Sequence, residues 1–179
     1  MPLPRAGDGG ENERCVWITF VGVSLAAICN TIWMCYDLDI LRPNVFYLIY
    51  NEKTRDLMYD ARDLISEICK TYGIPNPQIA GIKTKEDDLD QISREIRKIL
   101  KFETKKGSRI AVDLTPGRKY MTLILAIIAA QFNVDHAFYL HLKDPQYQNE
   151  LYPRIPQPLQ ELYDLNRILK EGIGSAFKK

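Results

Sequence analysis

The sequence predicts an α/β fold, a mostly parallel sheet with helices on both faces. Short apolar runs rich in β-branched and aromatic residues alternate with longer segments whose apolar residues recur at helical spacing. At two places such a run passes into a helix-like segment through a glycine-bearing turn, at Gly22 to Ser24 and at Thr115 to Gly117. Strand, helix and strand in succession form the unit of parallel sheets, and about five strands are expected.

Met1 to Arg14 is rich in Gly, Pro and charge, lacks apolar periodicity and reads as a disordered leader. No charged side chain occurs from Cys15 to Tyr36. A stretch of that length also fits a membrane anchor, which takes ~20 apolar residues. Thr19, Gly22, Ser24, Asn30 and Thr31 interrupt it, however, and its pattern changes at Gly22. A buried strand, Val16 to Val21, a turn and a helix fit better. Ser24 on that turn is either a helix N-cap or a ligand contact. Asn30 is read as bonding its own helix rather than a ligand.

Asn44 to Tyr50 is the next strand, entered through Arg42 and Pro43. Lys53 to Tyr72 places Leu57, Met58, Ala61, Leu64, Ile65, Ile68, Cys69 and Tyr72 at helical spacing, with charges between them. Gly73 stops that helix, Pro75 and Pro77 mark a loop, and Gln78 to Ile82 is a short strand. Thr84 with Asp87 resembles a capping box ahead of a helix whose stripe is Leu89, Ile92, Ile96, Ile99 and Leu100. Lys101 to Lys106 reads as a solvated basic helix end.

The chain is organised around Asp113 to Met121, between a strand, Arg109 to Val112, and an apolar helix, Thr122 to Phe132. Thr115 is read as N-cap and Pro116 as the first helical residue, while Gly117 permits close approach to the backbone. Free amides, a positive helix end and the cations Arg118 and Lys119 together describe an anion site, phosphate especially. The same features also describe an ordinary capped helix with solvated charges. The helix is apolar nearly all round, so a partner subunit is expected to cover its outer side. Val134 to Leu142 is expected to close the sheet. Lys143 to Pro158, with Tyr147, Tyr152, Pro153, Pro156 and Pro158, reads as an extended loop and candidate site cover before a last helix, Leu159 to Glu171. The domain expected is residues 15–143, with 144–179 as its loop, last helix and tail.

Composition narrows the function. The 179 residues are 46% hydrophobic and 26% charged with a formal net charge of +1, so no global basic field argues for duplex nucleic acid or an anionic membrane surface. Any anion site must be local. The two histidines, His136 and His141, and the scattered Cys15, Cys29, Cys35 and Cys69 offer no metal-ligand spacing. No metal or other cofactor is expected. The cysteines read as buried reduced thiols of a cytoplasmic protein. No Gly-x-Gly-x-x-Gly follows the first strand and no Gly-x-x-x-x-Gly-Lys-Ser/Thr loop occurs, which disfavours dinucleotide enzymes and nucleoside triphosphatases. In a Rossmann-type sheet ligands bind beyond the carboxyl ends of the strands at the switch point. Both glycine turns would lie on that edge, and Ser24 and Lys119 would converge there if the first strand and the one ending at Asp113 are neighbours.

At this level the residues resemble a family. Asp113, Thr115 and Lys119 match the pattern of CARF domains, the CRISPR-associated Rossmann fold: Asp or Asn, one residue, Ser or Thr, three residues, Arg or Lys. The Gly22 to Ser24 turn is similar to that family's first ligand loop. The strand Tyr139 to Leu142 and the later Tyr152 to Pro156 resemble its carboxyl-terminal part, so the likeness spans Val16 to about Leu165.

The resemblance implies a homodimer that binds a cyclic oligoadenylate, most often the four-nucleotide ring, across its two-fold axis. Many relatives carry a HEPN ribonuclease, marked by Arg, four to six residues and His; no Arg precedes a His at that spacing here, and no effector domain is expected. Stand-alone relatives include ring nucleases, which cleave the messenger without metal and switch the response off. On that reading Gly22, Val23, Ser24, Leu25, Thr115, Pro116, Gly117, Arg118 and Lys119 bind the ring. Lys119 stabilises the phosphorane, Ser24 positions the phosphate or attacking hydroxyl, and Tyr147 contacts the attacking or leaving oxygen or else packs under its loop. Arg118 points away from Lys119 and can pair with a carboxylate. Two rivals stand beside this: a non-catalytic sensor acting on a separate partner, and a nucleotide-handling enzyme of another Rossmann family.

Overall fold

The computed structural model describes residues 13–168. In chain order the main elements are β1 (Cys15–Phe20), α1 (Leu25–Asp37), β2 (Val45–Tyr50), α2 (Arg55–Thr71), β3 (Gln78–Lys83), α3 (Leu89–Lys105), β4 (Arg109–Asp113), α4 (Lys119–Gln131), β5 (His136–Leu142) and β6 (Gln160–Asp164). They form a six-stranded sheet in the order β3-β2-β1-β4-β5-β6, parallel except for β6, which runs antiparallel to β5. The fold class is therefore the mostly parallel, Rossmann-like sheet that the alternation of patterns predicted.

β1 lies at the centre, and all six of its residues are buried. Because successive strand side chains point to opposite faces, it supplies two cores. Trp17 joins Phe46, Leu48 and Ala111 under α1 and α2, whereas Val16, Ile18 and Phe20 join Val45, Ile49, Ile110 and Val112 under α3 and α4. Trp17 also stacks on Phe138 of β5, the ring centroids 5.6 Å apart. The uncharged stretch from Cys15 to Tyr36 is thus strand, turn and helix, and no helix among the described residues is long and apolar enough to cross a membrane. All four cysteines are buried free thiols, and burial raises the pKa of each.

Several expectations need correction. The sheet does not close at Leu142. The segment expected to begin a last helix at Leu159 is strand β6, with Gln160, Leu162 and Asp164 buried and Glu161 and Tyr163 half-exposed. Helical residues begin at Leu165; most of the expected helix beyond Ile168 lies outside the described residues. Asp88, not Thr84, caps α3 by accepting from Gln91 N at 2.8 Å, while Thr84 donates to the Tyr50 carbonyl. The leader lies outside the described residues except for Glu13 and Arg14. Arg14 belongs to the fold, since its guanidinium grips both carboxylate oxygens of Glu103 at 2.7 and 2.8 Å. Glu103 in turn corrects the reading of Lys101 to Lys106 as wholly solvated: it has no solvent exposure and also accepts from Tyr47 at 2.6 Å and Ser108 at 2.7 Å.

Candidate functional site

The sheet order makes β1 and β4 neighbours, with Thr19 opposite Asp113. From here the chain leaves β1 toward β2 and β4 toward β5, so the loops diverge and open the switch-point crevice of a doubly wound sheet. The two glycine turns meet at this point. A methyl group placed on Gly22 would lie 3.0 Å from the Gly117 amide nitrogen. Gly117 has φ +103, a conformation that favours glycine, and a side chain there would press on Phe20 at 3.1 Å.

The second turn differs from the expected cap. α4 starts at Lys119, with Arg118 at the N-cap position and no side chain capping its amides. Thr115 and Pro116 precede the helix and do not begin it. Thr115 N–H donates to Asp113 Oδ1 at 2.9 Å and is not free to bind a ligand. Its hydroxyl accepts from Leu140 N at 2.9 Å and from the Thr31 hydroxyl at 3.1 Å. The threonine is a pin joining β4, β5 and α1 beneath the turn. The amides available to an anion accordingly move toward Gly117 and the first turn of α4.

Asp113 is the hub of this pin. It has no solvent exposure, takes the Thr115 amide and a long 3.5 Å contact from the Thr19 hydroxyl, and has no ion-pair partner among the described residues. Burial pushes its pKa from the ordinary 3.8 up to about 7, against hydrogen bonds from Thr115, Thr31 and Thr19 that favour the charged form.

Of the two cations, Lys119 is exposed and makes no ion pair among the described residues, whereas Arg118 pairs with Glu86. The expectation that Arg118 turns to a carboxylate holds. At the first turn Ser24 is the N-cap of α1, accepting from Ala27 N at 3.3 Å, with its hydroxyl 3.5 Å from the Gln148 carbonyl. Val23 is 96% exposed and Leu25 half-buried. The structure joins the turns at Gly22 and Gly117, and the hydrogen bonds of the Ser24 hydroxyl go to Gln148 and Ala27 rather than to Lys119.

The segment after β5 does lie over the first junction. Asn30 holds it there, which corrects its reading as a residue bonding its own helix. Its amide nitrogen donates to the Glu150 carbonyl and its amide oxygen accepts from Tyr152 N, both at 2.9 Å. Tyr152 then reaches Asp37 with its hydroxyl at 2.8 Å. Tyr147 is half-buried one residue before Gln148, near the start of α1. Its hydroxyl has no hydrogen-bond partner among the described residues.

A feature missed in the sequence lies beside the head of α4. A cavity of about 650 Å³ is walled by the loops after β2 and β3 and by Arg118 and Tyr120. Glu86, on its wall, pairs with Arg118 and, at 3.0 Å, with Lys53. The polar run from Thr84 to Asp88 at a strand's carboxyl end was the available signal, and it was read only as a cap. No group of three or more His, Cys, Asp or Glu among the described residues could hold a metal ion.

Residues 43–168 match the family described as CRISPR-associated protein NE0113. No curated protein matches the sequence. Among solved structures, Csm6 of Enterococcus italicus bound to cyclic hexa-2′-fluoro-hexa-dAMP superposes with a TM-score of 0.60 at 14% identity, over 89% of this chain and 44% of that one. Can2 of Sulfobacillus thermosulfidooxidans in complex with cyclic tetra-adenylate gives 0.54 at 15% identity, over 75% and 33%. A type III CRISPR defence DNA nuclease activated by cyclic oligoadenylate gives 0.51 at 14% identity, over 79% and 20%. The chain spans less than half the length of each of these proteins, and the likeness is one of fold.

Proposed function

Since the chain belongs to the family of CRISPR-associated protein NE0113 and has the CARF fold, we propose that it is a ring nuclease of type III CRISPR signalling. A homodimer binds cyclic tetraadenylate across its two-fold axis and cleaves it, without metal, to linear oligoadenylates with 2′,3′-cyclic phosphate ends. The observation that carries this reading is the uncapped head of α4, which begins at the unpaired Lys119 and is led into by Gly117 packed against the Gly22 turn at the switch point. Fixed amides and an unpaired cation suit a phosphate in the ground state and suit it better as charge develops.

The chemistry asks mainly for geometry. A ribose 2′-oxygen attacks the adjacent phosphorus as its proton leaves, the bond to the 5′-oxygen breaks, and that oxygen takes up a proton. Lys119 faces the phosphorane charge, Gly117 and the first amides of α4 cradle the phosphate, and Ser24 orients the attacking hydroxyl. Tyr147 is the candidate for contact with the attacking or leaving oxygen. A four-nucleotide ring has a two-fold axis that an isologous dimer matches, each subunit supplying half of the site. The outer face of α4 supports the dimer, since Leu123 and Ile127 are 60% and 50% exposed on it.

A second reading, a non-catalytic sensor of the same ring acting on a separate partner, is favoured by one observation: the Ser24 oxygen already caps α1. Prolonged incubation of the purified protein with cyclic tetraadenylate, with and without chelator, separates the two. Linear products in both arms support the nuclease. Tight binding with an intact ring supports the sensor, and activity lost to chelator and restored by one metal removes the metal-independent mechanism.

A further inference from the structure

The cavity beside α4 is unused by the mechanism above, yet its wall and the anion cradle share Arg118. Its volume, about 650 Å³, lies within the range of small-ligand sites. Its charges largely cancel. The cations Lys53, Lys83, Lys85 and Arg118 face the anions Glu52, Glu86 and Asp87, and Glu86 already holds Arg118 and Lys53 while Glu52 holds Lys83. An anion would meet these carboxylates, so this is not a second phosphate site. A neutral polar heterocycle with both donors and acceptors suits it better.

Two groups give the cavity direction. Tyr120 lines it with an aromatic ring, tethered by its hydroxyl to the Glu86 carbonyl at 2.7 Å. The Glu86 side chain is only 19% exposed, is fixed by its ion pairs and, as a carboxylate, can only accept.

We propose that this cavity receives the adenine base of the nucleotide whose phosphate sits at the head of α4, with Glu86 accepting the exocyclic amine and Lys85 donating to a ring nitrogen. This rests on the reading of the chain as a cyclic oligoadenylate binder and adds to it the element that reads the base. Hypoxanthine, which carries a carbonyl oxygen in place of the amine, sets acceptor against acceptor at Glu86.

The test compares the binding of cyclic tetraadenylate and cyclic tetrainosinate to the full chain and to Glu86→Gln. Glutamine is isosteric and the cavity is at the surface, so the fold is retained, as thermal unfolding will verify. The parent should bind the adenylate ring roughly tenfold or more tightly than the inosinate ring, as expected for a hydrogen bond to a charged group. In Glu86→Gln the amide can turn its donor to the carbonyl, and the discrimination should collapse. Equal binding of both rings by the parent, or undiminished discrimination in the variant, overturns the base pocket while leaving ring binding intact. Failure of the parent to bind the adenylate ring at all overturns the underlying reading and this proposal with it.

Discussion

Asp113 ends β4 at one edge of the sheet, and Glu103 lies beside its start at the other. Neither carboxylate has any solvent exposure, yet their surroundings drive them in opposite directions. Burial would raise Glu103, but hydrogen bonds from Arg14, Tyr47 and Ser108 outweigh it and hold the pKa down at about 2. Asp113 has only threonine hydroxyls and an amide, and burial carries it up to about 7. A buried carboxylate with a cation ties a structure together, whereas one without is costly and is retained where the geometry around it has another use. The amino edge is tied together by its ion pair, and the carboxyl edge carries the proposed site.

The largest expected effect tests the carboxyl edge. Lys119→Ala should weaken ring binding and reduce single-turnover cleavage by on the order of 10² to 10³ or more, while leaving thermal stability unchanged. If the variant binds and cleaves like the parent, the functional edge has been misplaced. Ser24→Ala should lower the cleavage rate by on the order of 10² to 10³ with ring affinity nearly kept, because amides and charge still hold the phosphate. It should also cost roughly 1 kcal/mol in urea unfolding, through loss of the α1 cap. Parent-like cleavage with only that stability loss would make Ser24 a helix cap alone.

The two carboxylates also predict the pH dependence of stability. Glu103 sits below its ordinary 4.5, so its contribution is full above that pH and is lost as pH falls toward about 2. Asp113 sits above its ordinary 3.8, so the folded state loses stability as pH rises from there to about 7 and levels off beyond. Unfolding free energy should therefore peak between the two limbs, each on the order of a few kcal/mol. Asp113→Asn should flatten the upper limb only, and Glu103→Gln the lower only; a limb that persists in its own variant belongs to another group. The smallest effect is that of Arg14→Ala, which should cost about 1.5 to 3 kcal/mol in unfolding, as for hydrogen bonds to a charged group, with ring binding untouched. A loss of binding there would mean that the two edges are coupled.

The carboxyl edge was largely legible in the sequence and the amino edge was not. Glycine turns between apolar strands and apolar helices are local signals, and they located Gly22 and Gly117 and the strand before each, while the adjacency of those strands came from the sheet order. The Arg14–Glu103 pair is separated by 89 residues, and each partner lies in a segment that looks solvated when read alone. Strand β6 was missed for a related reason. Its alternation is only five residues long and half polar, and its burial depends on pairing with β5. At the second turn the expected cap fails, because Thr115 commits its hydroxyl to Leu140 and Thr31, partners that no local pattern reveals.

The grip of Asn30 on the loop after β5 bears on how the chain is made. The amide of Asn30 is satisfied by Glu150 and Tyr152, the latter 122 residues further along. At roughly 5 to 20 residues per second, a ribosome needs about 6 to 24 s to supply that partner. During that interval α1 exposes an unmatched amide and the aromatic surface of Trp33 that Tyr152 later covers. Helix α1 is thus completed late, and the chain closes the carboxyl edge of its sheet only when the second half of that sheet has emerged.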